Sequence, residues 1–166
     1  MGEVLSLQRL SAAAVEKLHG RKWDEDKVGE TLERWEEGSK GGDLDKAWQG
    51  LHFLLTGTAD GGKEPECFLL KGGRDLAAFD LGAGPAHTLS PEQVRSFAVC
   101  LAKHTRDTLR ARYDTKRMIA LEVYLAETFD AEGDEGFEYL FESFAALKRI
   151  VDDASAAGEG LVVYFS

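Results

Sequence analysis

Apolar positions recur along this chain at two periods, and together they predict several helices interleaved with a few short strands. The most distinctive pattern lies in 43–57. Leu44, Trp48, Leu51 and Leu55 recur at steps of three and four residues, with Ala47 beside them. That spacing gathers them on one face of a helix and makes Trp48 an expected core residue. Asp43 is the expected N-cap, because a short acceptor side chain serves free N–H groups there. Gly57 is the expected stop, because glycine accepts the left-handed conformation that ends a helix.

The rest of the chain follows in order. Met1–Leu7, with Val4, Leu5 and Leu7, reads as a first strand, and Ser11–Leu18 as a short helix stopped by Gly20. Over Trp23–Glu37, Val28, Leu32 and Trp35 form a narrow stripe, while Glu30, Glu33, Glu36 and Glu37 crowd the other faces. Such a charge run reads first as a solvated face. Loops are expected over 38–42 and 58–65. The apolar run Cys67–Leu70 predicts a strand over Glu66–Leu70; Gly72–Gly73 is a turn, and Leu76–Leu81 a weaker strand ended by Gly82–Gly84. Ser90, Pro91 and Gln93 spell a capped helix start, flanked by Leu89 and Val94 and running to about Lys103. Further helical turns are expected from Thr105, carrying Leu109, and from Asp114 or Thr115 toward Met118, Leu121 and Val123. The longest helical pattern, Asp134–Ala157, carries Phe137, Leu140, Phe141, Phe144, Leu147, Val151 and Ala154, with Gly158 as its stop. Leu161–Phe165 is apolar throughout, the signature of a strand that is central or covered on both faces. The prediction is an α+β fold in one compact domain over residues 1–166. Several helices pack on a small sheet that includes the N- and C-terminal strands, since both strands need partners for their backbone groups.

Composition narrows the function. A chain of 166 residues with 43% hydrophobic content can bury a real core. Its net charge of −10 argues against nucleic-acid or anionic-membrane binding, both of which need basic patches, and suits a basic protein partner. Solubility is the simplest consequence of that charge. The two cysteines, Cys67 and Cys100, are far apart in sequence, so no Cys-x-x-Cys zinc pair is present. No basic leader with an apolar core opens the chain, and no apolar run reaches the roughly 18 residues that span a bilayer. A reducing cytoplasm, with no metal and no cofactor, is the expected setting.

Motifs for chemistry are partial. Gly57 to Lys63 matches the first seven positions of a P-loop, but Glu64 stands where a hydroxyl must bind magnesium, and Pro65 follows. Gly82-Ala83-Gly84 is an incomplete dinucleotide fingerprint, with His87 at the third glycine position, and reads as a tight turn. No two of His19, His52, His87 and His104 are spaced as a helical zinc pair, and no Gly-x-Ser-x-Gly elbow exists. The candidate ligand- or partner-binding residues are His52, Thr56, Gly57, Gly84, His87, Tyr113 and Tyr124. They are expected to form a cleft where the central helix ends against the Gly82–His87 turn. In that cleft His52 would be the general base, with Thr56 and Tyr113 or Tyr124 as hydrogen-bonding groups. The competing reading of His52, beside the Trp48/Leu51 face, is a hydrogen-bonded packing residue.

The segment Leu44-Asp45-Lys46-Ala47-Trp48-Gln49-Gly50-Leu51-His52-Phe53-Leu54-Leu55-Thr56-Gly57 resembles the hallmark of the YfbM-like bacterial proteins, a domain of unknown function. The opening Met1-Gly2, Leu81 to Ala86, Leu89 to Val94, Leu109 to Asp114 and the closing helix and strand extend the resemblance over nearly the whole chain. Three positions depart from the family pattern. His87 replaces a usual Arg, Leu125 a usual Pro, and Phe129 a common Trp. The resemblance implies helices packed on a small sheet and brings no established activity, so function must be argued from the site. The leading expectation is a non-enzymatic recognition protein for a basic partner, of which an immunity-type protein is one form. The alternative is a small-molecule-binding or hydrolytic enzyme using the His52/His87 cleft.

Overall fold

The computed structural model describes residues 3–166; the first two residues of the expected N-terminal strand, Met1 and Gly2, lie outside them. Five antiparallel strands make one sheet: β1 (Leu5–Leu10), β2 (Gly41–Asp43), β3 (Arg74–Asp80), β4 (Pro85–Leu89) and β5 (Gly160–Phe165), in the order β2-β1-β5-β4-β3. The C-terminal strand is therefore central, and β1 pairs with it over its whole length, from Leu5 opposite Phe165 to Leu10 opposite Gly160.

Strand alternation divides the apolar residues between two cores. Leu5, Leu7, Leu89, Leu161 and Val163 enter the larger core. It is covered by α3 (Trp48–Thr56), α4 (Pro91–Ala102) and the long α8 (Asp134–Ala156), with α5 (Arg106–Arg112), α6 (Thr115–Ala120) and α7 (Ala126–Glu132) around them. Leu76, Phe79, Ala86, Val162 and Tyr164 enter the smaller core, where they meet Leu18 of α1 (Ala12–Gly20) and Val28 and Trp35 of α2 (Glu25–Gly38). Among the described residues, eight helices thus pack on both faces of the sheet.

Local chemistry explains most element boundaries. Ser11, Asp24, Thr105 and Asp114 each accept a backbone N–H three residues on, starting α1, α2, α5 and α6. Ser90 and Gln93 form the complete reciprocal capping box at α4. Gly57 ends α3 at φ 76° with its N–H on Phe53 O, as expected.

Other expectations are corrected. Asp43 does not cap α3. It ends β2 opposite Ser6, and its carboxylate accepts the Asp45 N–H at 2.9 Å; the helix starts only at Trp48. The Gly-Gly part of the expected 38–42 loop is edge strand, because β1 offers it free backbone partners. The run Glu66–Leu70 is not a strand. Cys67 N–H bonds Lys63 O and Lys71 N–H bonds Cys67 O, so the segment coils into turns while Cys67, Phe68 and Leu69 are buried. A short continuous apolar run fits either state, and only its packing decides. Past Gly82–Gly84 the chain returns as β4, placing His87 in a strand opposite Asp75 and Val163, not in a turn. Helix α7, with Phe129 buried in the core, was not expected.

Candidate functional site

The hallmark helix α3 is a hub of polar side chains, each tied to a backbone group of another segment. Trp48 Nε1 donates to Glu3 O at 3.0 Å. Gln49 donates to Ala59 O and accepts the Tyr124 N–H at 2.7 Å, bridging two loops. Thr56 Oγ1 donates back to His52 O at 2.8 Å and lies 3.0 Å from Thr58 Oγ1, which in turn accepts the Gly61 N–H. From outside, Arg112 Nη1 donates to Leu54 O and Leu55 O, capping the carbonyl end of the helix with a cation. Gly50 allows the close approach of α8 and α7. A Cβ there would fall 2.8 Å from a methyl of Leu140 and 2.9 Å from the Phe129 ring.

The expected base, His52, is fully buried, and its Nε2 lies 2.9 Å from Gly61 O. The carbonyl can only accept, so Nε2 carries the proton, and Nδ1 keeps a lone pair with no partner among the described residues. Burial pushes the imidazole pKa down to about 4, against the raising effect of that carbonyl. A ring sealed from solvent and neutral near pH 7 is placed to hold a loop, not to reach a substrate proton. His87 repeats the arrangement. It is buried on β4, its Nε2 donates to Phe68 O at 2.8 Å, and burial lowers its pKa.

The other expected residues are distributed. Thr56 and Gly57 share the loop that His52 holds. Tyr124 stacks on Trp48 at 5.6 Å. Tyr113 lies elsewhere, its hydroxyl against Phe129 O and Gly133 O, where it secures the end of α7. Gly84 lies at the β3–β4 turn, where its N–H and that of Gly82 are held by Asp80 Oδ1.

Residues that sequence reasoning passed over shape the opposite side of the sheet. Between α2 and the β3–β4 hairpin lies a groove of about 690 Å³. Trp23, Val28 and Leu32 supply apolar surface, with Leu81, 49% exposed, beside them, and Asp24, Glu25 and Asp80 supply carboxylates. Among the described residues no basic side chain lines it. Just outside, the Arg21 guanidinium lies over the Trp23 ring at 4.9 Å, a cation–π contact on the same indole. Exposed Leu81 was the available signal; its pairing with a helix some fifty residues earlier was not visible.

These features define an α+β protein whose distinctive helix is a structural hub and whose acidic helix borders an open groove. The chain belongs to the family described as a domain of unknown function, DUF1877, whose model matches residues 1–164. It is similar to the crystal structure of a protein of unknown function, YfbM from Escherichia coli, with a TM-score of 0.74 and 19% sequence identity over 98% of this chain and 99% of that one. At that identity the likeness establishes the fold alone. No curated protein matches the chain. Among the described residues no group of three or more His, Cys, Asp or Glu is placed to hold a metal, and no helix is long and apolar enough to cross a membrane.

Proposed function

We propose that the protein is a non-catalytic recognition module that seats a basic, amphipathic segment of a partner protein in the groove between α2 and the β3–β4 hairpin. The acidic lining of an apolar groove carries this reading. Leu81, Trp23 and Leu32 offer the contact surface, and Glu25 and Asp80, which carry no ion pair among the described residues, select a segment bearing Lys or Arg, while Asp24 is held by Lys27. The net charge of −10 adds long-range attraction for the same partner. His52 and His87 serve as structure in this reading, each holding a loop carbonyl. An immunity-type role, neutralising a basic toxin by charge complementarity, falls within it.

The test is an amide chemical-shift titration with a helical peptide of alternating Leu and Lys faces. Shifts are expected to cluster on α2 and the hairpin, to weaken with added salt, and to vanish in Leu81→Asp. Absence of binding, or shifts centred elsewhere, overturns the proposal.

A further inference from the structure

Helix α2 has a second flank, and a different cavity opens along it. About 270 Å³ of space lies between α1 and α2, over the end of β1. Its apolar wall is built from Leu10, Ala14 and Leu18 together with the rings of Trp23 and Trp35. Both indoles are braced against buried Phe79: Trp23 meets it edge-on at 4.6 Å, and Trp35 stacks on it at 5.6 Å. The Trp23 N–H is fixed as well, donating to Leu18 O at 2.8 Å. The wall is therefore rigid before anything enters, which lowers the ordering cost of binding.

Every charge on this cavity is positive. Lys17, Arg21 and Arg34 line it, and among the described residues no carboxylate does. In a chain with 30 acidic and 20 basic residues, chance would rarely gather three cations and no acid around one cavity. Acids close in sequence are already paired elsewhere: Glu16 with Arg74 at 3.6 Å and Asp24 with Lys27 at 3.2 Å. Arg34 is flanked on α2 by Glu30, Glu33 and Glu37, yet it pairs with none of them. No ion pair among the described residues involves Lys17, Arg21 or Arg34.

Lys17 and Arg21 stand four residues apart, a like-charge spacing that disfavours a helix. The carbonyl end of α1 attracts cations and offsets that cost. It does not account for Arg34, which comes across from the neighbouring helix and adds a third charge of the same sign. The Arg21 guanidinium lies over the Trp23 ring, 4.9 Å from its centroid. That contact uses the face of the guanidinium and leaves its N–H edge to donate, so one fork-shaped donor is held at the rim beside the aromatic wall.

We propose that this cavity binds a small phosphomonoester whose organic part is apolar, such as an aryl ring. Near pH 7 a phosphomonoester carries close to two negative charges and three acceptor oxygens. Lys17, Arg21 and Arg34 match that charge and number of acceptors, which a single carboxylate would leave partly unmet. The aromatic and aliphatic wall receives the organic part, and the volume, at the low end of small-molecule pockets, admits one ring. The net charge of −10 repels anionic polymers, so the ligand is a small molecule and not a nucleic acid. The site stands or falls separately from the groove, since the two share only Trp23 and call for ligands of opposite charge.

The experiment is a titration of ¹⁵N-labelled protein with phenyl phosphate, with benzoate as the monoanion and benzyl alcohol as the neutral control. The three Trp indole N–H signals report on it. Those of Trp23 and Trp35 are expected to shift saturably, with a dissociation constant on the order of 1 mM, while that of Trp48, in the opposite core, stays fixed. Benzoate should bind more weakly and benzyl alcohol more weakly still. Lys17→Gln combined with Arg34→Gln changes two exposed side chains, leaves the fold intact and should weaken binding by about tenfold. Ala14→Leu keeps every charge and the helix but fills the cavity, and should abolish the saturable shifts in a protein whose circular dichroism is unchanged. Binding of benzoate or benzyl alcohol as tight as that of phenyl phosphate, a common shift of all three indoles, either variant binding like the wild type, or no saturable shift overturns the proposal.

Discussion

Helix α3 is buried on almost every side, whereas α2 is amphipathic with one buried face, and the two treat their polar side chains in opposite ways. On α3, Trp48, Gln49 and His52 bond backbone groups of the N-terminal segment and of the following loop, and Thr56 Oγ1 accepts the Thr58 N–H. On α2, Glu25, Glu30, Glu33, Glu36 and Glu37 face solvent. A distinctive sequence segment is therefore not of necessity a functional one. Hydrogen bonds to buried backbone demand particular residue types as strictly as catalysis does, because an unpaired buried carbonyl or N–H is expensive.

The largest expected break in this contrast is Trp48→Ala. It removes an indole packed against Tyr124 and Phe165 together with the bond to Glu3 O, and should destabilise by roughly 3–5 kcal/mol in denaturant unfolding. A loss of under about 1 kcal/mol would remove α3 from its place as hub.

A pH experiment sharpens the role of His52. Its folded pKa of about 4 lies below the ordinary 6.5, so between these values the unfolded chain binds a proton that the native state refuses. Stability from this group is therefore full above about pH 6.5 and is lost as pH falls toward 4, by roughly 2 kcal/mol at pH 5 relative to pH 7. His87, lowered in the same direction by burial, adds to the trend. His52→Gln should flatten the slope between pH 7 and 5 in thermal melts; a slope equal to that of the wild type contradicts the assignment.

The smallest expected effect lies on α2. Glu30→Gln, Glu33→Gln and Glu37→Gln alter exposed carboxylates for which no ion pair is found among the described residues, so each should change stability by less than about 0.5 kcal/mol. A loss above about 1 kcal/mol from any of them would make α2 a structural helix of the same kind as α3.

The sequence alone determined those elements whose information is local. The capping box at Ser90, the stop at Gly57, the long period of α8 and the apolar C-terminal strand are each written within a few residues, and each is found where expected. The hallmark segment was legible as a helix with Trp48 buried, and the packing reading of His52 was available from its apolar neighbours. Tertiary structure decided the rest, because the deciding partner was distant in the chain. Gly41–Asp43 became a strand only because β1 lay open beside it. Cys67–Leu70 coiled because its apolar run could be buried without a ladder. The cavity shared by Lys17 and Arg34 joins two separate helices. No periodicity within one segment encodes such a meeting; it exists only once α1 and α2 pack together on the sheet.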